Sequence, residues 1–231
     1  MSAHKLSDAV IPLRAMRKMI ADKMRQSLAT TAQLTHHAEC DASALARRRA
    51  VVRAAGGRVS VYDLLIHYIV ATLREYPVLN ATLEDGEIHL HAAVNVSIAV
   101  SLDDGLLVAP AIFDAQEMTL AELSAARREL TVRARAGKLS VREMTGGTIT
   151  VSNLGLTRVK YFTPILNVPQ VAVIGIGGSE QRLVPTQDGS VESRAFMGLS
   201  LTFDHQAVNG APAAAFLDAL CRRIEKAPAA A

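Results

Sequence analysis

The sequence predicts an α+β fold in which one mixed β-sheet is flanked by helices. Three observations predict it. Segments with apolar residues at three- and four-residue spacing are interleaved with short runs rich in Val, Ile and Thr. Half of the 231 residues are apolar, only 4% are aromatic and Trp is absent, so the core is built from Ala, Val, Leu, Ile and Met. Apart from a short Ala/Pro tail, no repeat or low-complexity linker interrupts this order, which argues for one domain around one core.

The elements follow in order. Met16, Met19, Ile20, Met24 and Leu28 recur at helical spacing, so an amphipathic helix over 14–29 is expected, with its methionines in the core. Residues 33–40 read as a strand, and Asp41 can cap a second helix that ends near Gly56-Gly57. Ser60 and Asp63 form a capping box for a third helix, through Leu64, Leu65, Ile69 and Leu73, which stops before Pro77. Glu84-Asp85-Gly86 turns into a β region. Alternation over 94–102 predicts a strand buried on one side, and Asp103-Asp104-Gly105 turns it into 106–113 as a hairpin. Thr119 and Glu122 cap a long helix that Gly137 ends. Strands are expected over 147–152, 171–176 and 195–203. A last helix carries Pro212 in its first turn and runs to Lys226.

Composition excludes several classes. Cys40 and Cys221 are far apart in sequence with no CxxC, which encodes neither a disulfide framework nor a thiolate metal site and fits a reducing, cytoplasmic compartment. No charge-free apolar run reaches membrane-spanning length, and the first ten residues lack a signal-peptide core, so neither membrane nor secretion is expected. Residues 1–60 hold eleven Lys/Arg against four Asp/Glu. This basic quarter, with Arg47-Arg48-Arg49, suits a phosphate-bearing ligand or nucleic acid, but a solvated helix face explains it more simply. Nucleic acid is set aside, because no aromatic stacking platform or reading motif accompanies the charge.

Seven histidines offer acid–base chemistry. His4 lies in the terminal segment, and His67 sits among apolar neighbours where a hydrogen-bonded structural role suffices. His89 and His91 share a strand face and could chelate a metal, yet no third ligand follows, and no metal is expected. His36 and His37 are adjacent in a strand and point to opposite faces. His205 differs, because Asp204-His205-Gln206-Ala207-Val208-Asn209-Gly210 joins the last strand to the last helix. A base at such an edge is exposed to substrate, although strand-loop-helix punctuation produces much of the same composition. The strand 147–152 ends in a polar, glycine-flanked turn at Ser152. GxSxG is absent, so a hydrogen-bond donor role fits Ser152 better than a nucleophile. Gly175, Gly177 and Gly178 read as a strand ending rather than a phosphate loop.

Together these segments resemble the catalytic domain of the dihydrolipoamide acyltransferases, the E2 cores of 2-oxo acid dehydrogenase complexes. The likeness spans residues 10–228. It rests on Pro12-Leu13-Arg14-Ala15-Met16-Arg17-Lys18, Asp104-Gly105-Leu106-Leu107-Val108-Ala109-Pro110, residues 146–155, Pro164-Ile165-Leu166-Asn167-Val168-Pro169-Gln170, and 204–217. The superfamily includes chloramphenicol acetyltransferase, with the same His-xxx-Asp/Asn-Gly ending, so the resemblance implies that two-layer fold and a trimer. It implies acyl transfer between dihydrolipoamide and coenzyme A, with acetyl as the acyl group, as in pyruvate or acetoin complexes. An ordinary thiol is mostly protonated at neutral pH, so a neutral imidazole has a proton to take. The resemblance gives that role to His205, makes Ser152 the oxyanion donor, and gives Asn209, with Gly210 and Arg17, the ordering of the site.

The resemblance further implies that His and Ser meet between subunits, that trimers assemble into 24-mers or 60-mers, and that E1, E3 and a lipoyl domain are partners. Three departures stand out. Gln206 replaces the usual Arg after the His, Arg158 and Lys160 fall where glycines are usual, and Val168 replaces a proline. The expected organisation is a flexible segment 1–9 and a catalytic domain 10–228, with no lipoyl or peripheral-subunit-binding domain, so dihydrolipoamide arrives on another domain or chain. The rival readings are a non-catalytic scaffold subunit and a CoA-dependent O-acetyltransferase of a small molecule.

Overall fold

The structure is a computed structural model that describes residues 10, 12–102 and 105–228. The segment 1–9 with His4, the turn residues Asp103 and Asp104, and the end of the Ala/Pro tail lie outside the described residues. The order is α1 (Ala15–Thr30), β1 (Gln33–Asp41), α2 (Ser43–Ala54), α3 (Val61–Leu73), β2 (Ala81–Glu84), β3 (Glu87–Leu90), β4 (Val96–Ile98), β5 (Val100–Ser101), β6 (Leu107–Val108), β7 (Ala111–Ile112), α4 (Leu120–Arg135), α5 (Val141–Thr145), β8 (Ile149–Asn153), β9 (Ala172–Pro185), β10 (Val191–Asp204) and α6 (Gly210–Glu225). Six strands form one sheet in the order β1-β10-β9-β8-β4-β7. The β8 pairs with β9 and β4 are parallel and the rest antiparallel, which is the mixed sheet expected. No helix of the described residues is long and apolar enough to cross a membrane.

Local signals fix most helix starts. The Ser60 hydroxyl accepts from the Asp63 N–H at 3.1 Å while Ser60 N–H donates to the Asp63 carboxylate at 2.7 Å, a reciprocal cap on α3. Thr119 and Glu122 do the same for α4, which Gly137 closes at φ +67°. Asp41 works one residue early: Ala42 is the cap position of α2, and the Asp41 carboxylate accepts from Ser43 N–H at 2.8 Å. Ile66, Ile69 and Leu73 of α3, Leu123 of α4, and Phe216, Leu220 and Ile224 of α6 pack with Ile149, Val151, Ile174, Leu199, Leu201 and Phe203 of the sheet in one core.

Three expectations are corrected, and one further element is unexpected. The residues 94–102 do not make one strand: β4 and β5 break at Ala99 and join different sheets, and Val96, Ser97 and Ile98 are all buried. Their alternation mimics a half-solvated strand because Ser97 is a buried polar residue. Strands β9 and β10 are fourteen residues each, so Gly175, Gly177 and Gly178 lie inside β9 rather than at its end. Glycine is needed there because a Cβ at Gly177 or Gly178 would strike the Lys160 or Thr157 carbonyl, where the chain crosses the strand. The five-residue α5 was hidden by its length, although its Ser140–Glu143 capping box is a readable signal. Finally, Met16, Met19 and Leu28 of α1 are not in the core; they are 45%, 70% and 56% exposed. Only Ser27 of α1 is fully buried, while Ile20 and Met24 are half-buried.

Candidate active site

The five residues 205–209 join β10 to α6. Asp204, 1% exposed, shapes this turn with both its backbone and its side chain. Its carbonyl accepts from Ala207 and Val208 N–H at 3.0 and 2.9 Å, and its carboxylate accepts from Gln206 N–H at 3.0 Å and Ala32 N–H at 3.1 Å. The His205 N–H donates to the Ala32 carbonyl at 2.9 Å. The backbone of His205 is thus held at the α1–β1 junction while its side chain is exposed. Its ring lies 5.9 Å from that of Phe203, which in turn meets His36 edge-on at 5.0 Å. Asn209 is the cap residue of α6, but its side chain accepts no capping bond from the helix N–H groups and is exposed at the mouth of the turn. A Cβ on Gly210 would meet His36 at an ordinary 3.8 Å, so space alone does not demand glycine there.

Ser152 lies elsewhere in the sheet. It is half-buried near the end of β8, and its hydroxyl makes no hydrogen bond among the described residues. In register it stands beside Gly175, which stands beside Ser200, five residues before His205. Two strand spacings across and five residues along put Ser152 and His205 roughly 15–20 Å apart within one chain. One chain does not bring them together. Arg17 is exposed on α1, and no hydrogen bond or ion pair joins it to Asn209. The end of α1 that reaches the turn is Thr30, about 20 Å along the helix from Arg17.

A second feature was legible only in part. Arg49, Arg53, Arg58, Arg127 and Arg128 line a cleft of about 240 Å³ together with Ser60 and Asp63. The one carboxylate there is already satisfied: Asp63, 1% exposed, accepts from Arg127 Nε at 2.5 Å, Ser60 N–H and hydroxyl at 2.7 Å, and the Ser124 hydroxyl at 3.0 Å. Burial raises the Asp63 pKa, but the bonds from Arg127 and Ser60 outweigh it and hold the carboxyl below its ordinary value. Arg49, Arg53 and Arg58 form no ion pair among the described residues, and the buried Nε of Arg49 has no hydrogen-bond partner. A cleft with excess guanidinium charge and a vacant buried donor suits a phosphate. Tyr62 connects it to the sheet: its ring lies 5.6 Å from the Arg127 guanidinium and its hydroxyl donates to the Val151 carbonyl, adjacent to Ser152, at 3.4 Å. Of the run at 47–49 only Arg49 lines this cleft, and Arg127 and Arg128 come from α4, so only folding joins them to it.

The remaining candidates are structural. His36 and His37 do point to opposite faces, the latter sharing a 2.9 Å hydrogen bond with Ser200 and packing against Tyr161. Burial lowers the His67 pKa, which favours its neutral form. His91 bonds to Thr82 at 3.1 Å, while His89 lies 3.9 Å from Glu87. Among the described residues no three His, Cys, Asp or Glu gather as metal ligands. Cys40 and Cys221, remote in sequence, are brought side by side as free thiols between β1 and α6. The bond to Cys221 and burial push the Cys40 thiol up.

The fold that carries this exposed imidazole and half-buried serine is shared with chloramphenicol acetyltransferase, at a TM-score of 0.56 and 16% identity over 94% of this chain and 97% of that one. The chain belongs to the 2-oxoacid dehydrogenases acyltransferase (catalytic domain) family, which it matches over residues 5–231. It is 39% identical to the dihydrolipoyllysine-residue acetyltransferase component of the acetoin cleaving system of Bacillus subtilis, over 95% of this chain and 56% of that protein. It is 33% identical to the mitochondrial succinyltransferase component of the 2-oxoglutarate dehydrogenase complex of Saccharomyces cerevisiae, over 93% of this chain and 47% of that one. The chain therefore spans about half the length of these curated relatives. Among solved structures, the dihydrolipoamide acetyltransferase of Azotobacter vinelandii aligns at a TM-score of 0.86 and 29% identity, covering 97% and 94% of the two chains. That structure comes from an investigation of a serine, a histidine and an asparagine in its catalytic mechanism. The cubic core of the pyruvate dehydrogenase multienzyme complex aligns at 0.86 and 28% identity, with the same coverage.

Proposed function

We propose that this chain is an acyltransferase core that moves an acetyl group between coenzyme A and dihydrolipoamide. The exposed His205, on a turn pinned at Asp204 and Ala32, is the observation that carries the reading. His205 takes the proton of the attacking thiol. The thiolate adds to the thioester carbon, the oxyanion accepts a hydrogen bond from Ser152, and collapse expels the second thiolate, which takes from His205 the proton the first thiol gave up. Asn209, the cap position of α6 four residues after His205, has the supporting, site-ordering role. Membership of the acyltransferase family and the serine, histidine and asparagine studied in the Azotobacter enzyme support these assignments.

The separation of His205 from Ser152 supports a site shared between copies, as does the exposed apolar side of α1. The likeness to a cubic core supports an oligomer, with trimers as the unit, and with a lipoyl domain and the E1 and E3 components as partners. Arg17, unpaired with Asn209 in its own chain, is available to a neighbouring copy in such an assembly. The Arg49, Arg53 and Arg58 cleft, next to the Ser152 strand, takes the phosphates of coenzyme A.

Acetyl transfer from acetyl-CoA to free dihydrolipoamide, measured alongside native mass, tests the reading. Turnover by the oligomer is expected; an oligomer without turnover indicates a scaffold. Neutralising Arg53 and Arg58 together should raise KM for CoA by roughly 10- to 100-fold, the weight of lost charge-assisted bonds, with kcat little changed. An unchanged KM removes the cleft from the substrate path.

A further inference from the structure

We infer that Gln206 is a positioning residue that aims His205 by locking its turn to the end of α1; this rests on the acyl-transfer reading above. Gln206 is itself exposed, and does not touch the core. Its side-chain amide nevertheless reaches three acceptors: the two oxygens of the buried Asp204 carboxylate at 3.1 and 3.2 Å, and the Thr30 carbonyl at 2.9 Å. Its backbone N–H donates to the same carboxylate at 3.0 Å. One residue thus brackets His205 from the following position with both backbone and side chain.

The Thr30 contact gives this bracket its reach. A helix's last carbonyls have no partner within the helix, and Thr30 ends α1. Beyond this bond, α1 is joined to the body by few contacts, among them the Ser27 hydroxyl donating to the Leu166 carbonyl at 2.7 Å. Ala32, two residues on, donates to the Asp204 carboxylate and accepts from His205 N–H. The Thr30–Ala32 segment, Asp204, His205 and Gln206 therefore close a ring of hydrogen bonds in which the imidazole is the one free member. No Lys or Arg bonds to Asp204 among the described residues, so the neutral amide supplies the side-chain donors that the carboxylate receives. Breaking the ring at Gln206 frees the turn to rotate without unpacking the core, because Val208 and Phe203 on either side remain buried.

The test compares Gln206→Met, which keeps length and volume but donates nothing, with Gln206→Arg, which restores donors to the same acceptors. In the intact oligomer Gln206→Met should lower kcat about tenfold with KM for CoA and the melting temperature nearly unchanged, and shift the His205 ring resonances in NMR. Gln206→Arg should recover most of kcat. Unchanged kcat and unmoved His205 resonances in Gln206→Met overturn the inference, as does an equal loss in both variants. If the wild-type oligomer proves inactive, the acyl-transfer reading fails, while the His205 resonances still decide whether Gln206 orients the ring.

Discussion

Replacing His205 with Ala should cut acetyl transfer by 10²–10⁴-fold, the range of a positioned general base, and leave the melting temperature within a degree or two because the side chain is exposed. Ser152→Ala should cost 10²–10³-fold, as for a single oxyanion donor. The decisive measurement mixes the two inactive chains during refolding. If each site draws His205 from one copy and Ser152 from the next, random 1:1 assembly leaves about a quarter of the sites with both wild-type residues, and about a quarter of the activity returns. If one chain held the whole site, mixing would return nothing. The register puts the two residues roughly 15–20 Å apart in one chain, beyond any hydrogen bond to one thioester, so recovery is expected.

Asp63→Ala should destabilise the protein by about 3–5 kcal/mol, because it leaves the mostly buried Arg127 guanidinium uncompensated and removes the cap of α3. For a chain of this length that corresponds to a fall of roughly 10 °C in Tm, measured by calorimetry. Asp63→Asn, which keeps the shape but loses the charge, should fall between. The acid limb gives an independent check. The folded Asp63 titrates below its ordinary value of 3.8, so its stabilisation is fully present above about pH 4 and is lost as the pH falls through the folded value. The wild-type Tm should therefore drop more steeply below pH 4 than that of Asp63→Ala. Parallel curves would show that the ion pair contributes little to folding.

Capping boxes at 60–63 and 119–122 and the closing glycine at 137 were legible because they are local chemistry, complete within four residues. The His205 turn was legible for the same reason, since all its residues are contiguous. The errors came where a partner lies far along the chain. Met16, Met19 and Leu28 have the spacing of a buried stripe, and spacing records only that something covers it, not whether the same chain does. Gly175, Gly177 and Gly178 looked like a terminus because the 157–160 segment that crosses them is invisible in β9's own sequence. The arginine cleft needed α2 and α4 to meet, seventy residues apart, and the side-by-side cysteines needed β1 and α6.

The hydrogen bonding of α1 to the body through Ser27 and Thr30, near its carboxyl end, has a consequence for how such a catalyst responds to dilution. A lone chain would leave Met16 and Met19 in water and the helix free to swing, and that swing is delivered through Thr30 to the ring of bonds under His205. Covering the helix would quiet the imidazole. Specific activity would then fall on dilution in proportion to the chains that have lost a neighbour, and free monomers would be poor catalysts before any of them unfolded.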